Sequence, residues 1–294
     1  MPMAMEKSLI YGGKQWSFQV DASIVQDMRD TRDNFLVQYD EQCPTKEYCA
    51  IYFSSNDIYY PNTEDIFRKR IVEQDVYEWY GTRIKKAYKH IFFRDIYKQW
   101  YLKGINNNID TPEKLTSWLK DETKGYKVIT IGSSAGGYAA MLYGSLLMAE
   151  RILAFNPQFE LNSLFGRSDE AKNPILYRLK DTAWNNYFDL MKWVSNRPCN
   201  IYYFYSSKSP LDTKQHRHIK DIKGIHQIGF STSHHGIPFL KVALPKVLNM
   251  TSQELHRLES QTNSPITFTI QVVGLKRTLT GFYKQFVAAK LRRK

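Results

Sequence analysis

The stretch from Lys127 to Ala149 constrains the chain more than any other. KVITIG, Lys127 to Gly132, is β-branched and apolar, and Ser133-Ser134-Ala135-Gly136-Gly137 follows with no bulky residue before an apolar helical run to Ala149. A strand with no polar alternation must be covered on both faces, which is the situation of a strand inside a parallel sheet flanked by helices. RILAFNP, Arg151 to Pro157, then returns as a second strand. Strand, tight turn, helix, turn and strand imply parallel neighbours joined by a right-handed crossover. The expected class is therefore α/β, a mostly parallel sheet with helices on both faces.

Other segments fit that frame. Ser8–Tyr11 and Gln15–Val20 flank Gly12-Gly13, a pair suited to a tight turn, and predict an N-terminal β-hairpin. A polar helix is expected from Ser23 to about Val37. YCAIYF, Tyr48 to Phe53, reads as a buried strand ending in the polar loop Ser54-Ser55-Asn56-Asp57, and HIFFRDI, His90 to Ile96, as another. Thr111-Pro112-Glu113 supplies an N-cap, a first-turn proline and an acid for a helix to about Lys124. Asp169 to Ser195 is helical in pattern, with Leu176, Leu179, Trp184, Tyr187 and Trp193 as apolar markers, and predicts a helical insertion over about 160–197 that caps the site. NIYYFYSS (Asn200 to Ser207) and IHQIGFS (Ile225 to Ser231) complete the strands, and a further helical segment over 236–250 restarts near Pro245. Asn263-Ser264-Pro265 reads as a linker, which divides the chain into a domain over 1–250 and a C-terminal extension over 251–294. In that extension Leu275, Leu279, Phe282 and Phe286 fall at helical spacing among basic residues, giving an amphipathic helix whose stripe packs on the domain or lies on a membrane.

Gly132 to Gly136 fits G-x-S-x-G in the one context that gives the motif mechanical meaning, between a buried strand and a helix. Small residues let strand and helix approach, and Ser134 is held in a strained turn with its hydroxyl above the sheet. That placement suits a nucleophile for acyl transfer; the alternative is a helix start that binds phosphate through its amides. A serine needs a base, and the base an orienting acid, in the chain order Ser, Asp, His. Asp212 follows the strand ending at Ser207 and is the candidate acid, with helix N-capping as its other role. His234 and His235 follow the next strand. His235 is preferred because Gly236 lets the loop bend its imidazole toward Ser134, and His234 is the alternate base. His90, His216, His218, His226 and His256 read as structural or solvated. For the oxyanion the candidates are the amide of Ala135 and one from Ser54 to Asn56, with Ser55 and Asn56 foremost. The HGGG signature of many esterases is absent.

Charge narrows the partners. Forty-one Lys and Arg against 29 acids give a net +12, which favours nucleic acid, an anionic membrane or an acidic polymer. No RNP1-like, zinc-finger or helix-turn-helix pattern is present, so nucleic acid is the least favoured of the three. Cys43, Cys49 and Cys199 show no CxxC spacing, and neither a disulfide framework nor a metal site is expected. The weakly polar run Gly136 to Ala149 is shorter than the ~20 residues that span a bilayer, and MPMAMEKSLIYGGKQW has no secretory h-region, so a cytoplasmic protein is expected.

The stretch from about Glu47 to Met250 resembles the α/β-hydrolase-fold proteins of bacterial capsule gene clusters, among them capsular polysaccharide O-acetyltransferases. The residues that carry the resemblance are GSSAGGYAAMLYGS, LAFNPQ, the PLD turn at Pro210 to Asp212 and HHGIPFL at His234 to Leu240. The resemblance implies an α/β-hydrolase fold and transfer from acetyl-CoA to a sugar hydroxyl of an anionic surface or capsular polysaccharide. Ser134, Asp212 and His235 match nucleophile, acid and base. It also implies work at the cytoplasmic face of the inner membrane or in a capsule-assembly complex. A carbohydrate esterase or deacetylase of the same fold and a noncatalytic scaffold in such a complex are the competing readings.

Overall fold

The computed structural model describes residues 20–166, 170, 173–195, 200–259 and 261–288, and among them seven strands form one sheet. They are β1 (Phe35–Tyr39), β2 (Tyr48–Phe53), β3 (Lys89–Phe93), β4 (Lys127–Ser133), β5 (Arg151–Phe155), β6 (Asn200–Ser206) and β7 (Ile225–Phe230). Their spatial order is β1-β3-β2-β4-β5-β6-β7, with every neighbouring pair parallel except β1 against β3. This is an α/β-hydrolase architecture. Residues 8–19 of the expected hairpin, Cys199, and the basic residues Lys290 to Lys294 lie outside the described residues.

The central strands are apolar on both faces because both faces are covered. Ile51, Phe53, Ile152, Ala154 and Tyr203 pack with the helix Ala135–Leu146 on one side. Ile129, Ile131, Phe155, Phe204 and Ile228 pack on the other with Trp79, Phe239, Val247 and Phe268. The helix Ala135–Leu146 lies close on the sheet: a Cβ on Gly144 would stand 2.5 Å from Thr130 Oγ1, and that hydroxyl donates to the Ala140 carbonyl at 2.8 Å. Cys49 is buried in β2, where desolvation pushes its thiol up to about 12; Cys43 is half-buried.

Three local expectations need correction. The first helix stops at Thr31, and Phe35–Tyr39 is the antiparallel edge strand β1. Asn34 makes the break: it takes φ 57°, its amide donates to the carbonyls of Met28 and Ile105, and its oxygen accepts from Arg94. Asparagine enters that left-handed region more readily than most residues.

The aromatic insertion forms three short pieces, Pro174–Leu179, Ala183–Tyr187 and Met191–Val194. They pack against the helix Ala135–Leu146 and the main core. Tyr138 donates its hydroxyl to the Tyr187 carbonyl, Tyr187 donates to Glu113, and Phe188 and Leu190 are buried in the main core. None of the described residues of the insertion lines the pocket at Ser134.

Asn263 is no linker. It is buried, its N–H donates to the Gly229 carbonyl at 2.8 Å and its own carbonyl accepts from Ser231 at 2.9 Å, adding a parallel bridge to β7. Ser264 then caps the helix Pro265–Val273, and Phe268 sits between Phe230 and Phe239. No helix among the described residues is long and apolar enough to cross a membrane.

Candidate active site

The sheet order turns at β2 and β4. From this pair the chain proceeds outward in opposite directions, so the loops after the two strands diverge and leave a crevice at their carboxyl ends. Ser134 and Ser54–Asp57 are those two loops.

The turn at Ser134 is made by exclusion of bulk. A Cβ on Gly132 would stand 2.0 Å from the Gly136 carbonyl oxygen, and one on Gly136 would stand 2.2 Å from the Phe53 carbonyl oxygen. Strand, turn and helix can close only without side chains at these positions. Ser134 is forced to φ 54°, ψ −121°, a conformation a non-glycine residue keeps only under constraint. The constraint is supplied by its N–H, which donates to the Phe155 carbonyl at 2.9 Å, and by its carbonyl, which accepts from Tyr138 at 3.0 Å.

Asp212 comes from the first turn of the helix Pro210–Ile219, behind β6. Ser209 is the N-cap there and accepts from the Asp212 N–H, so Asp212 is not the cap and its carboxylate is free to turn inward. It is 1% exposed, with Oδ1 2.7 Å from His235 Nδ1. His235 Nε2 lies 2.8 Å from Ser134 Oγ. With the Nδ1 proton held by the carboxylate, Nε2 is the acceptor for the serine hydroxyl. Asp212 Oδ2 has no hydrogen-bond partner among the described residues. His234 lines the same pocket, but its backbone carries the contacts: its N–H donates to Thr232 Oγ1 and its carbonyl accepts from Ser206 Oγ at 2.6 Å.

That last bond belongs to a brace the sequence did not reveal. Asn156, the residue after β5, takes φ 42° and is fully buried. Its amide nitrogen donates to Ser206 Oγ and to the Gly236 carbonyl, both at 2.8 Å, and its oxygen accepts from the Ser206 N–H at 2.8 Å. The loop that carries His235 is thereby tied to the ends of β5 and β6. Asparagine directly after an apolar strand and before Pro157 is the signal that could have found it, since few residues other than glycine tolerate positive φ.

Of the four amides of the loop Ser54–Asp57, three are engaged, that of Asp57 by Ser55 Oγ at 3.2 Å. The Ser54 N–H donates to the Phe93 carbonyl at 3.0 Å. The Ser55 N–H, an oxyanion candidate, donates instead to the carboxylate of Glu78, which also accepts from Ser55 Oγ at 3.1 Å. Asn56 begins the short 3-10 turn Asn56–Ile58, as Ala135 begins its helix, and an amide at such a first position has no partner within its own helix. Asn56 and Ala135 are thus the pair left for an oxyanion. Glu78 had no motif to announce it, being a single acid between Tyr77 and Trp79.

These groups open into a pocket of about 520 Å³, within the range of small-molecule sites. Its charged lining is mixed: Asp57 and Glu78 against Lys241. Gln285 and Phe286, in the π-helical turn Tyr283–Ala288 that continues the C-terminal helix Leu275–Phe282, complete the wall. The other histidines stand apart from it. His90 is buried against Tyr52, and desolvation takes its imidazole down to about 4. His226, His256 and Glu259 bring ligand atoms within 4.8 Å of one another, a spacing a metal ion could use, but none of them lines this pocket.

No protein-family model and no curated protein matches the sequence. Among solved structures the chain is similar to the capsule O-acetyltransferase of Neisseria meningitidis serogroup A, with 15% identity over 76% of this chain and 89% of that one, at a TM-score of 0.46. A variant of that enzyme in complex with CoA aligns at 17% identity over 67% of this chain and 83% of that one, TM-score 0.46. Esterase B from Lactobacillus Rhamnosis aligns at 11% identity over 92% and 95%, TM-score 0.42. Likeness at this level leaves the chemistry to be argued from the site's own geometry.

Proposed function

We propose that the chain is a serine acyltransferase that moves an acetyl group from acetyl-CoA to a sugar hydroxyl of an anionic surface or capsular polysaccharide. The observation that carries the acyl-transfer step is the continuous relay from Ser134 Oγ through His235 to Asp212, at 2.8 and 2.7 Å, at the foot of an open pocket. His235 Nε2 takes the hydroxyl proton as Ser134 Oγ attacks the thioester carbon. Asp212 holds the Nδ1 proton and stabilises the imidazolium that forms. The N–H groups of Ala135 and Asn56 receive the negative charge on the carbonyl oxygen. Collapse breaks the carbon–sulfur bond, and His235 returns its proton to the departing thiolate. A sugar hydroxyl then gives its proton to His235 and attacks the acetyl-serine, the bond from Ser134 Oγ to the acetyl carbon breaks, and His235 returns the proton to Ser134 Oγ.

The donor and the acceptor come from the resemblance of the motifs to capsule O-acetyltransferases. A cytoplasmic setting follows from an acyl-CoA donor. An esterase would use the same relay with water in place of the sugar, and a scaffold would have no need of the relay. The test is incubation with acetyl-CoA, with and without candidate polysaccharide fragments, following free CoA, acetate and the mass of the Ser134 peptide. Acetylated glycan and a transient acetyl on Ser134 are expected. Acetate release that no glycan changes would reassign the activity to hydrolysis, and absence of acyl-serine with every donor would remove the serine mechanism.

A further inference from the structure

The C-terminal helix is mounted with its apolar side outward. Thr278, Gly281 and Gln285, spaced by three and four residues, form the face that meets the domain. Thr278 is buried, a Cβ on Gly281 would stand 2.6 Å from the Val242 side chain, and Gln285 Oε1 accepts from the Lys241 N–H at 3.0 Å. The adjoining face carries Leu275, Leu279, Phe282, Tyr283 and Phe286, each between 43% and 62% exposed. Ile266, on the preceding helix, is 52% exposed as well. Of the ten large apolar or aromatic side chains exposed among the described residues, six thus fall in one stretch of 21 residues. Scattered exposure needs no explanation, whereas a contiguous stripe of this kind marks a contact surface.

Charge identifies the contact. From Gln261 to Lys294 the chain has seven basic residues and no acid. Lys276, Arg277 and Lys284 are exposed beside the stripe. The Ser134 pocket, by contrast, holds two carboxylates and one ammonium, so the excess positive charge is not concentrated in the site. A second copy is disfavoured as the occupant, because a two-fold pairing would bring these acid-free segments together. An apolar stripe flanked by Lys and Arg is the pattern of a helix lying in the interface of an anionic bilayer.

We propose that the helices Pro265–Val273 and Leu275–Phe282, with the π-helical turn Tyr283–Ala288 that continues the second, dock the protein on an anionic lipid surface through Ile266, Leu275, Leu279, Phe282, Tyr283 and Phe286. Gln285 and Phe286 also wall the Ser134 pocket, so docking holds its mouth beside the lipid headgroups. The inference rests on exposure and charge and stands apart from the acyl-transfer reading.

Co-sedimentation with phosphatidylcholine vesicles, with and without phosphatidylglycerol, tests it on the full chain. Binding is expected with phosphatidylglycerol only, and is expected to be released by salt as the Debye length shrinks to about 3 Å near 1 M. Leu279→Glu with Phe282→Glu should abolish binding; Leu275→Ser with Tyr283→Ser is the milder pair should the first not fold. Lys276→Gln with Arg277→Gln should weaken binding by about thirtyfold, at about fivefold per charge removed. A full chain that ignores phosphatidylglycerol vesicles at low salt, or variants that bind as well as the parent, would overturn the proposal. So would a dimer in sedimentation that the Leu279→Glu and Phe282→Glu pair dissociates, which would assign the stripe to a second copy.

Discussion

Two helices adjoin residues that line the same pocket, Ser134 before one and Gln285 and Phe286 after the other, and are built on opposite principles. In the helix Ala135–Leu146 every residue from Ala135 to Ser145 is buried, including Tyr138 and Tyr143, while in Leu275–Phe282 only Thr278 is. The first has no freedom: a Cβ on Gly136 would stand 2.2 Å from the Phe53 carbonyl oxygen, and the serine before the helix is held at positive φ by hydrogen bonds on both sides. The second, with the turn that continues it, touches the domain through Thr278, Gly281 and Gln285 and leaves its large side chains exposed. Chemistry is placed where the fold allows one arrangement, and surface contact where the fold leaves an element loosely seated.

The largest break of this contrast is at the serine. Ser134→Ala should reduce turnover by about a thousandfold or more and leave the melting temperature near that of the parent, since one hydroxyl is lost and no packing changes. Mass spectrometry should find the acetyl-peptide in the parent only. A variant that keeps more than about a tenth of the rate would put the chemistry elsewhere.

Gly136→Ala comes next and acts through packing. Its Cβ would stand 2.2 Å from the Phe53 carbonyl oxygen and 2.8 Å from that of Ser54. Backbone cannot yield as a side-chain tip can, so a loss of about 3 kcal/mol is expected by denaturant titration. The loop carrying Asn56 should move with it, and a displacement of about 1 Å at an oxyanion donor costs about a hundredfold in rate. Gly281→Ala in the C-terminal helix, which meets only the Val242 side chain, should change neither measurably beyond about 1 kcal/mol.

Asn156→Ala separates positioning from chemistry. The substitution leaves Ser206 Oγ, the Ser206 N–H and the Gly236 carbonyl short of a partner and puts alanine at φ 42°. A cost of about 2 kcal/mol is expected. Because the His235 loop loses its tie, kcat should fall while fluorophosphonate labelling of Ser134 slows rather than stops. Unchanged kcat with reduced stability would make Asn156 structural only.

What was legible in the sequence follows the same division. Ser134, Asp212 and His235 could be named because each follows a strand whose apolar run gives its end away, and parallel strands deliver all such ends to one edge of the sheet. Choosing His235 over His234 rested on Gly236, which does take φ 105°. Asn156 and Glu78 were missed because their roles lie in hydrogen bonds to backbone groups distant in sequence, for which no local pattern exists. Asn34 hid β1 by ending a helix where the polarity pattern ran on, and Asn263 read as a linker although its hydrogen bonds go to β7. Periodicity gave the C-terminal helix its stripe, but a stripe states only that one face is apolar. Which face meets the domain depends on what the domain presents there, and Val242 and Lys241 present a fit for glycine and glutamine.

The smallest expected effect is therefore the most discriminating for the second helix. In a helix packed by its apolar face, truncating a leucine costs about 2 to 5 kcal/mol through lost burial and the cavity left behind. Leu279 is 62% exposed and Leu275 58% exposed, so little burial is present to lose. Leu279→Ser and Leu275→Ser should each lie within about 0.5 kcal/mol of the parent in denaturant titration without lipid, the range of ordinary surface substitutions. Thr278→Asp, on the inner face, should cost about 1 to 3 kcal/mol, because it would bring an unpaired carboxylate against the domain where Thr278 now donates to the Gly274 carbonyl. If the order were reversed, with the leucines costly and Thr278 tolerant, the helix in solution would be turned about its axis, and its apolar stripe would belong to the core.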